Sequence, residues 1–411
     1  MEGRVGRSSR IVVVGGGQAG GHALSSLRRG GFEGELFLVT AEDEAPYERP
    51  PLSKDYLAGR CERDRLRLYP DGFYVENAIE LVTGTRAVAI DPGSRRVELE
   101  SGRVLHYDQI LLATGSRVRR LADMPGSRLD RVFYLRTIED AERIRAAMKD
   151  ADRIAVVGGG YIGLEVASIA VETGLPATVI ETMPRLLTRV MTSKLSAFYA
   201  DLHGRHGVDL RLGTAVTGFH GSGAVKSVAL ADGSKIAADL VVVGIGIEPI
   251  TDLARAAGID CDNGIVVDRA CRTSCPDVLA AGDCSSRHSS FHGRRVRLES
   301  VANATAQGQI AASAMLGVEG GCDAVPWFWS DQHGVRLQMA GVSEGADRTV
   351  VRGTFGGDSF VAFHLCEGVL IGVDAVNSMR EFSVCRRLVE KRRRPDPAAL
   401  SDTSVPLKSL L

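Results

Sequence analysis

Gly15, Gly17 and Gly20 follow the apolar run Ile11 to Val14, and Gly158, Gly160 and Gly163 follow Ile154 to Val157. In this G-x-G-x-x-G spacing the first glycine permits a tight turn and the second lets backbone approach a pyrophosphate. The third lets a helix pack close to its strand. The residues that open each helix, Ala19 in the first copy and Tyr161 and Ile162 in the second, turn unpaired N–H groups and a partial positive charge toward phosphate. One such motif is weak evidence. Two, each with its flanking apolar strands, predict two bound dinucleotides. Glu181 ends the second strand of the second copy. A carboxylate there accepts hydrogen bonds from an adenosine ribose and repels a 2′-phosphate, which favours NADH over NADPH. Arg185 and Arg189 weigh against that preference, since either could swing to a phosphate, and Arg189 is retained as a nucleotide contact.

The elements that must position these residues form an internal repeat. The first copy predicts a strand, a helix reaching Arg29 and a strand over 35–40; the second predicts a helix reaching about Glu172 and a strand over 177–181. Three further apolar segments run into glycine, a pattern that brings backbone close to a ligand at the carboxyl edge of a sheet. They are 104–115, ending on Ala113, Thr114 and Gly115; 238–246, ending on Gly244, Ile245 and Gly246; and 278–283, ending on Gly282 and Asp283. After about Pro326 the pattern changes to strands over 335–342, 349–352, 360–365 and 369–376, then a helix over 378–392. The expected fold class is α/β, with two Rossmann-like nucleotide-binding domains and a C-terminal α+β domain. The basic run Lys391 to Arg394 reads as a solvated helix end, with docking of an acidic partner as the sharper alternative.

Composition removes several other functions. At 411 residues the chain is too long for one core. A net charge of -1 gives no broad basic field for nucleic acid. No apolar stretch approaches the roughly 20 residues of a membrane span. Arg4, Arg7 and Arg10 before Ile11 to Val14 mimic a signal peptide, but Gly15, Gly16 and Gly17 break the run at once, so a first strand in a cytoplasmic protein is expected. Eight cysteines (Cys61, Cys261, Cys271, Cys275, Cys284, Cys322, Cys366 and Cys385) are scattered without a C-x-x-C pair, and read as free thiols. His288 and His292 have i, i+4 spacing but lie among Ser and Gly, where a loop is expected rather than a zinc pair.

One segment, Pro46 through Lys54, is highly distinctive. Together with Ala113 to Gly115, Tyr134 to Thr137, Gly158 to Glu165, Gly282 and Asp283, and Pro326 to Gln332, it resembles the oxygenase-coupled NADH-dependent ferredoxin reductases of the putidaredoxin reductase type. The match extends from Ile11 to Lys408, essentially the whole chain. It implies a glutathione-reductase-like flavoprotein: an FAD domain over 1–117 and 247–325, interrupted by an NAD domain over 118–246, with a C-terminal domain over 326–411 covering the flavin. The first glycine turn then takes FAD and the second NADH. Hydride passes from nicotinamide to flavin, and electrons leave singly for a two-iron two-sulfur ferredoxin serving a haem monooxygenase or a ring-hydroxylating dioxygenase.

The resemblance also assigns residues. The lysine matching Lys54 pairs with the glutamate matching Glu165 beside the flavin ring, where a cation would stabilise the charge arriving with hydride. Read from the residues alone, Lys54 is a helix-surface cation and Glu165 a helix-terminal carboxylate. Arg49 and Arg136 are expected at FAD phosphate or ring edge, Asp283 at the ribityl chain and Trp329 stacked on the flavin, with core packing as its alternative. Ala87, Ser300 and Val301 complete the FAD contacts. Relatives carry Asp or Glu for the FAD ribose where this chain has Ala41, so Glu42 is the expected substitute. A monomer or weak dimer is expected, binding neither nucleic acid nor membrane. Two alternatives share this architecture: a flavin reductase acting on rubredoxin, disulfide, peroxide or oxygen, and a redox scaffold like apoptosis-inducing factor. Residues 41–50 hold no cysteine, which counts against a thiol mechanism.

Overall fold

Ile11 to Val14 are almost wholly excluded from solvent in the computed structural model, which describes residues 9–321 and 324–411. Arg4, Arg7 and Cys322 lie outside the described residues. Burial on both faces is what a continuous apolar run requires of a central parallel strand. Arg10–Val14 accordingly pairs in parallel with Glu35–Val39 on one side and Gln109–Leu112 on the other. With Ile79–Val82 and Val278–Ala280 this makes a five-stranded parallel sheet. The second repeat does the same: Ile154–Val157 lies between Ala177–Glu181 and Leu240–Val243, in a sheet completed by Asp209–Leu212 and Val132–Tyr134.

Two compact units contain these sheets. The first comprises, of the described residues, those up to Glu48, Arg63–Arg117 and Glu248–Pro326. Within it the helix Gln18–Arg29 packs on Val301–Met315, burying Leu24, Leu27, Ala311 and Met315. The second comprises Arg49–Glu62, Val118–Ile247 and Trp327–Leu411. Its last part is a five-stranded antiparallel sheet carrying the helix Met379–Glu390. Leu337, Phe360 and Val376 of that sheet share one core with Leu164, Val166 and Leu202, which joins the segment to the second parallel sheet.

Two sequence expectations change. Residues 104–115 are not one strand. Val104–His106 pairs antiparallel with Arg96–Leu99, Tyr107 and Asp108 bond to Arg95 and Arg10 carbonyls, and Gln109–Leu112 then joins the parallel sheet. One apolar run therefore serves two sheets. His288 lies on the strand Ser285–Ser289 rather than in a loop, because buried serines on that strand occupy positions the sequence marks as polar. The basic run Lys391 to Arg394 is an exposed helix end: Lys391 caps the helix Met379–Glu390, and the Arg393 carbonyl accepts from Leu370 N–H. No helix among the described residues is long and apolar enough to cross a membrane.

Candidate functional site

The two glycine turns have nearly the same backbone. Gly15 and Gly158 adopt φ of +120° and +110°, a region L side chains rarely enter. A Cβ on Gly15 would lie 2.1 Å from the Ala113 carbonyl oxygen, and one on Gly158 would lie 2.4 Å from that of Gly244. A Cβ on Gly20 or Gly163 would fall 2.1 or 2.2 Å from the carbonyl oxygen of the turn's first glycine. Gly17 and Gly160 meet nothing within 4 Å. Both are extended N-caps with no side-chain partner on the N–H groups of the helices they start. Crowding at the first and third glycines, with open space at the second, is the shape a pyrophosphate fits.

Around the first turn the first unit gathers several of the expected residues. Gly282 (φ +83°) leaves only 3.1 Å between its missing Cβ and that of Ala19, which brings Asp283 next to the turn. The Gly282 N–H donates to Gln307 Oε1 at 2.8 Å, and Ser116 Oγ donates to Asp283 Oδ2 at 3.0 Å. Thr114 Oγ1 donates to the Ile250 carbonyl at 2.7 Å, fixing the loop that ends on Gly115. Ser300 caps the helix Val301–Met315 by accepting the Asn303 N–H. Glu42 is half-buried and accepts the hydroxyl proton of Tyr47. Ala87 is buried on the strand Ala87–Asp91.

Around the second turn lie Glu181, Arg189 and Gly244 to Gly246. Glu181 Oε2 accepts the Gly159 N–H at 2.6 Å and its Oε1 accepts the Met183 N–H at 2.8 Å, so the carboxylate is held against the turn. Arg189 Nη2 is 3.7 Å from where a Cβ of Gly246 would be, which keeps this cation at the site. Arg185 instead donates to the carbonyls of Met191 and Thr188, at 2.8 and 3.1 Å. The sequence allowed either arginine to swing to a phosphate and retained Arg189; the structure commits Arg185 to the loop. Tyr161 opens the helix after the second turn with its backbone N–H groups uncapped by any side chain. Its ring packs on Phe328 and its hydroxyl donates to Met339 Sδ at 3.0 Å, so only its backbone remains for a nucleotide, while Ile162 is exposed.

The second unit also assembles a buried ion pair. Pro50 and Pro51 start a short 3-10 turn, Pro50–Ser53, that delivers Ser53 and Lys54 to the helix Tyr161–Glu172. Lys54 Nζ lies 2.7 Å from Glu165 Oε2, and Glu165 is 1% exposed. Ser53 Oγ donates to the same oxygen at 2.5 Å, and Ser330 Oγ donates to Oε1 at 2.6 Å. A buried carboxylate this fully bonded stays in one place. The surface readings of Lys54 and Glu165 do not hold. Arg49 and Arg136 also meet, with Arg49 Nη1 donating to the Arg136 carbonyl at 2.8 Å. Trp329 lies on the strand Trp327–Gln332, and its ring stacks on Trp327 at 5.5 Å as i, i+2 strand positions allow.

Ser53, Ser330 and Gln332 lie in the segments that carry the resemblance but were given no role, and His203 and His333 were not singled out. The one local signal was the i, i+2 spacing of Ser330 and Gln332, which puts them on one face of the strand, where both prove 1% exposed.

The chain matches the pyridine nucleotide-disulphide oxidoreductase model over residues 9–308 and the reductase C-terminal model over 327–411. It is 42% identical to a putidaredoxin reductase of Pseudomonas putida, over 98% of this chain and 97% of that one. A rhodocoxin reductase of Rhodococcus erythropolis is 41% identical, over 97% and 93% of the two chains. Among solved structures, the reductase in a covalent putidaredoxin reductase–putidaredoxin complex superposes with a TM-score of 0.95 at 42% identity, covering 98% of both chains.

Proposed function

The chain belongs to the pyridine nucleotide-disulphide oxidoreductase family, with the C-terminal domain of the reductases, and from that premise we propose how its residues divide the work of an FAD-dependent NADH:ferredoxin oxidoreductase. It takes FAD and NAD(H) and is similar along its whole length to reductase components of oxygenase systems. The first glycine turn, with Ala19, Ala113 to Gly115, Gly282 and Asp283, holds FAD. The second, with Glu181, Arg189 and Gly244 to Gly246, holds NADH. Arg49, Ala87, Arg136, Ser300 and Val301 complete the flavin contacts, and Glu42, aimed by Tyr47, takes the ribose in place of the acidic residue usual at Ala41.

Bound together, the two cofactors supply hydride transfer between nicotinamide and flavin and release of single electrons to a ferredoxin. The protein's own part is to position and to set charge. Lys54 supplies a fixed cation for the negative charge that accumulates on reduction, and Glu165 with Ser53 and Ser330 holds that cation still. Trp329, braced by Trp327, is a flat apolar surface for the ring system. The ferredoxin partner is of the two-iron two-sulfur kind, serving a monooxygenase or dioxygenase, and the reductase works in the cytoplasm as a monomer or weak dimer.

The observation that carries the assignment is the Lys54–Glu165 pair, with glycine turns of matched geometry in each unit. The experiment is NADH-dependent cytochrome c reduction by the purified flavoprotein, with and without two-iron ferredoxins. A ferredoxin-dependent rate is expected. Equal rates with and without every ferredoxin offered, alongside rapid oxidation of NADH by oxygen or peroxide, would instead support the oxygen- or peroxide-reducing alternative.

A further inference from the structure

Behind Glu165 runs a line of polar side chains that the proposed function leaves unused. Glu165 Oε1 accepts from Ser330 Oγ at 2.6 Å, and Ser330 Oγ accepts from Gln332 Nε2 at 2.9 Å. Gln332 Oε1 lies 2.9 Å from His203 Nε2, and His203 Nδ1 lies 3.0 Å from His333 Nε2. Ser330, Gln332 and His203 are at most 1% exposed, and His333 is the half-buried end. Unsatisfied polar groups at such depth are costly, so this line is a structure the fold maintains.

The line has one polarity. An amide oxygen only accepts, so His203 Nε2 must carry the proton given to Gln332. A neutral imidazole protonated at Nε2 has a bare Nδ1, which then accepts from His333 Nε2–H. Burial pushes His203 down to about 4, and burial with the nearby His203 and His206 rings pushes His333 down to about 3, so both rings are neutral near pH 7. Every donor then points toward Glu165. The opposite tautomer, with the His203 proton on Nδ1, turns the Gln332 amide around and takes the Ser330 hydroxyl proton away from Glu165.

The fold pins the outer end as well. His333 occupies the first position of a two-residue hairpin between Trp327–Gln332 and Val335–Gly341, at φ +51°, a conformation that such a turn ordinarily fills with Asn or Gly. Its backbone N–H donates to Ser168 Oγ at 2.7 Å, and its ring stacks on His206 with centroids 4.2 Å apart. His206 Nδ1 donates in turn to the Leu202 carbonyl.

We propose that His203 and His333 are positioning residues whose tautomers set the hydrogen-bond direction at Glu165, and so the charge that Lys54 and Glu165 present to the bound flavin. The proposal rests on Lys54 and Glu165 acting on the flavin. With Ser330 donating, the carboxylate is partly neutralised and Lys54 dominates. Without that donor, the carboxylate's full charge opposes reduction.

The test uses holoenzyme. Nitrogen-15 spectra of histidine-labelled protein report the His203 tautomer, and anaerobic potentiometry reports the flavin midpoint potential. The expected result is Nε2–H at His203, and a midpoint that moves negative in His203→Phe. The equilibrium constant for flavin reduction by NADH would fall about tenfold, the scale of one lost charge-assisted hydrogen bond. His203→Gln, whose amide N–H falls near the former Nε2, should restore most of it. His333→Phe, at the half-exposed end, should give a smaller shift in the same direction and covers the case where His203→Phe does not fold. An Nδ1–H tautomer in the native protein would overturn the proposal. So would unmoved potentials in His203→Phe and His333→Phe while Lys54→Met shifts the midpoint. If Lys54→Met also leaves the potential unmoved, the placement of Lys54 beside the flavin fails, and the proposal falls with it.

Discussion

At the first glycine turn the adjoining strand runs to Val39, and Thr40 packs beside Gly16, so the first carboxylate after that strand is Glu42, steadied by Tyr47. At the second turn the strand ends on Glu181 itself, which takes the Gly159 N–H directly. The glycine conformations match within about ten degrees, yet one turn meets a carboxylate through a loop and the other through a strand end. The helices that follow differ too. Gln18–Arg29 packs on Val301–Met315, whose Gln307 side chain accepts the Gly282 N–H and so steadies the backbone beside the first turn. Tyr161–Glu172 carries Glu165, which holds a lysine and feeds a polar line through the C-terminal sheet. A turn that grips pyrophosphate is therefore generic, and the shell around it decides what the nucleotide does.

Breaking the turns should have the largest effect. Gly15→Val drives a Cβ into the Ala113 carbonyl at a φ that valine does not tolerate, so the protein should be recovered without flavin, read from its visible spectrum. Lys54→Met comes next. It leaves Glu165 buried without its cation, and breaking such a pair costs about 3–5 kcal/mol. Thermal unfolding should shift down, and single-turnover reduction of the flavin by NADH should slow.

Glu181→Ala sharpens the contrast without emptying either site. Preference for NADH over NADPH, measured as a ratio of kcat/KM, should fall about tenfold, and an unchanged ratio would remove Glu181 from the nucleotide site. Acid should also weaken the second unit. An unfolded histidine binds a proton near 6.5, whereas His203 in the fold does not until about 4 and His333 until about 3. The unfolded chain therefore binds more protons in that window, and stability is lost as pH falls from about 6.5 toward about 4. Melting curves of the native protein should decline more steeply over that range than those of His333→Phe. The smallest effect is expected from Glu42→Gln, with FAD retention on dilution weakened about threefold.

Much of this was legible in the chain because it is local. Glycine spacing and apolar runs fix turns and parallel strands, and Glu181 is readable because it ends a strand that starts from such a turn. The segment 104–115 misled because apolarity does not reveal that Tyr107 and Asp108 hand the chain from one sheet to another. Serine-rich 285–289 looked like a loop because its burial comes from neighbours distant in sequence. Lys54 and Glu165 are 111 residues apart, and without the family resemblance their pairing was invisible. His203, 129 residues from Gln332, carried no signal at all. Tyr161 was placed correctly in the motif, but its side chain faces the C-terminal sheet.

The division of labour between the turns is tested most directly by Gly158→Val, which places a Cβ against the Gly244 carbonyl. Flavin content and bleaching are measured anaerobically, first with NADH and then with dithionite. The expected protein keeps its full complement of FAD, which NADH cannot bleach and dithionite can. A Gly158→Val protein that has lost its flavin but still binds NADH would contradict it.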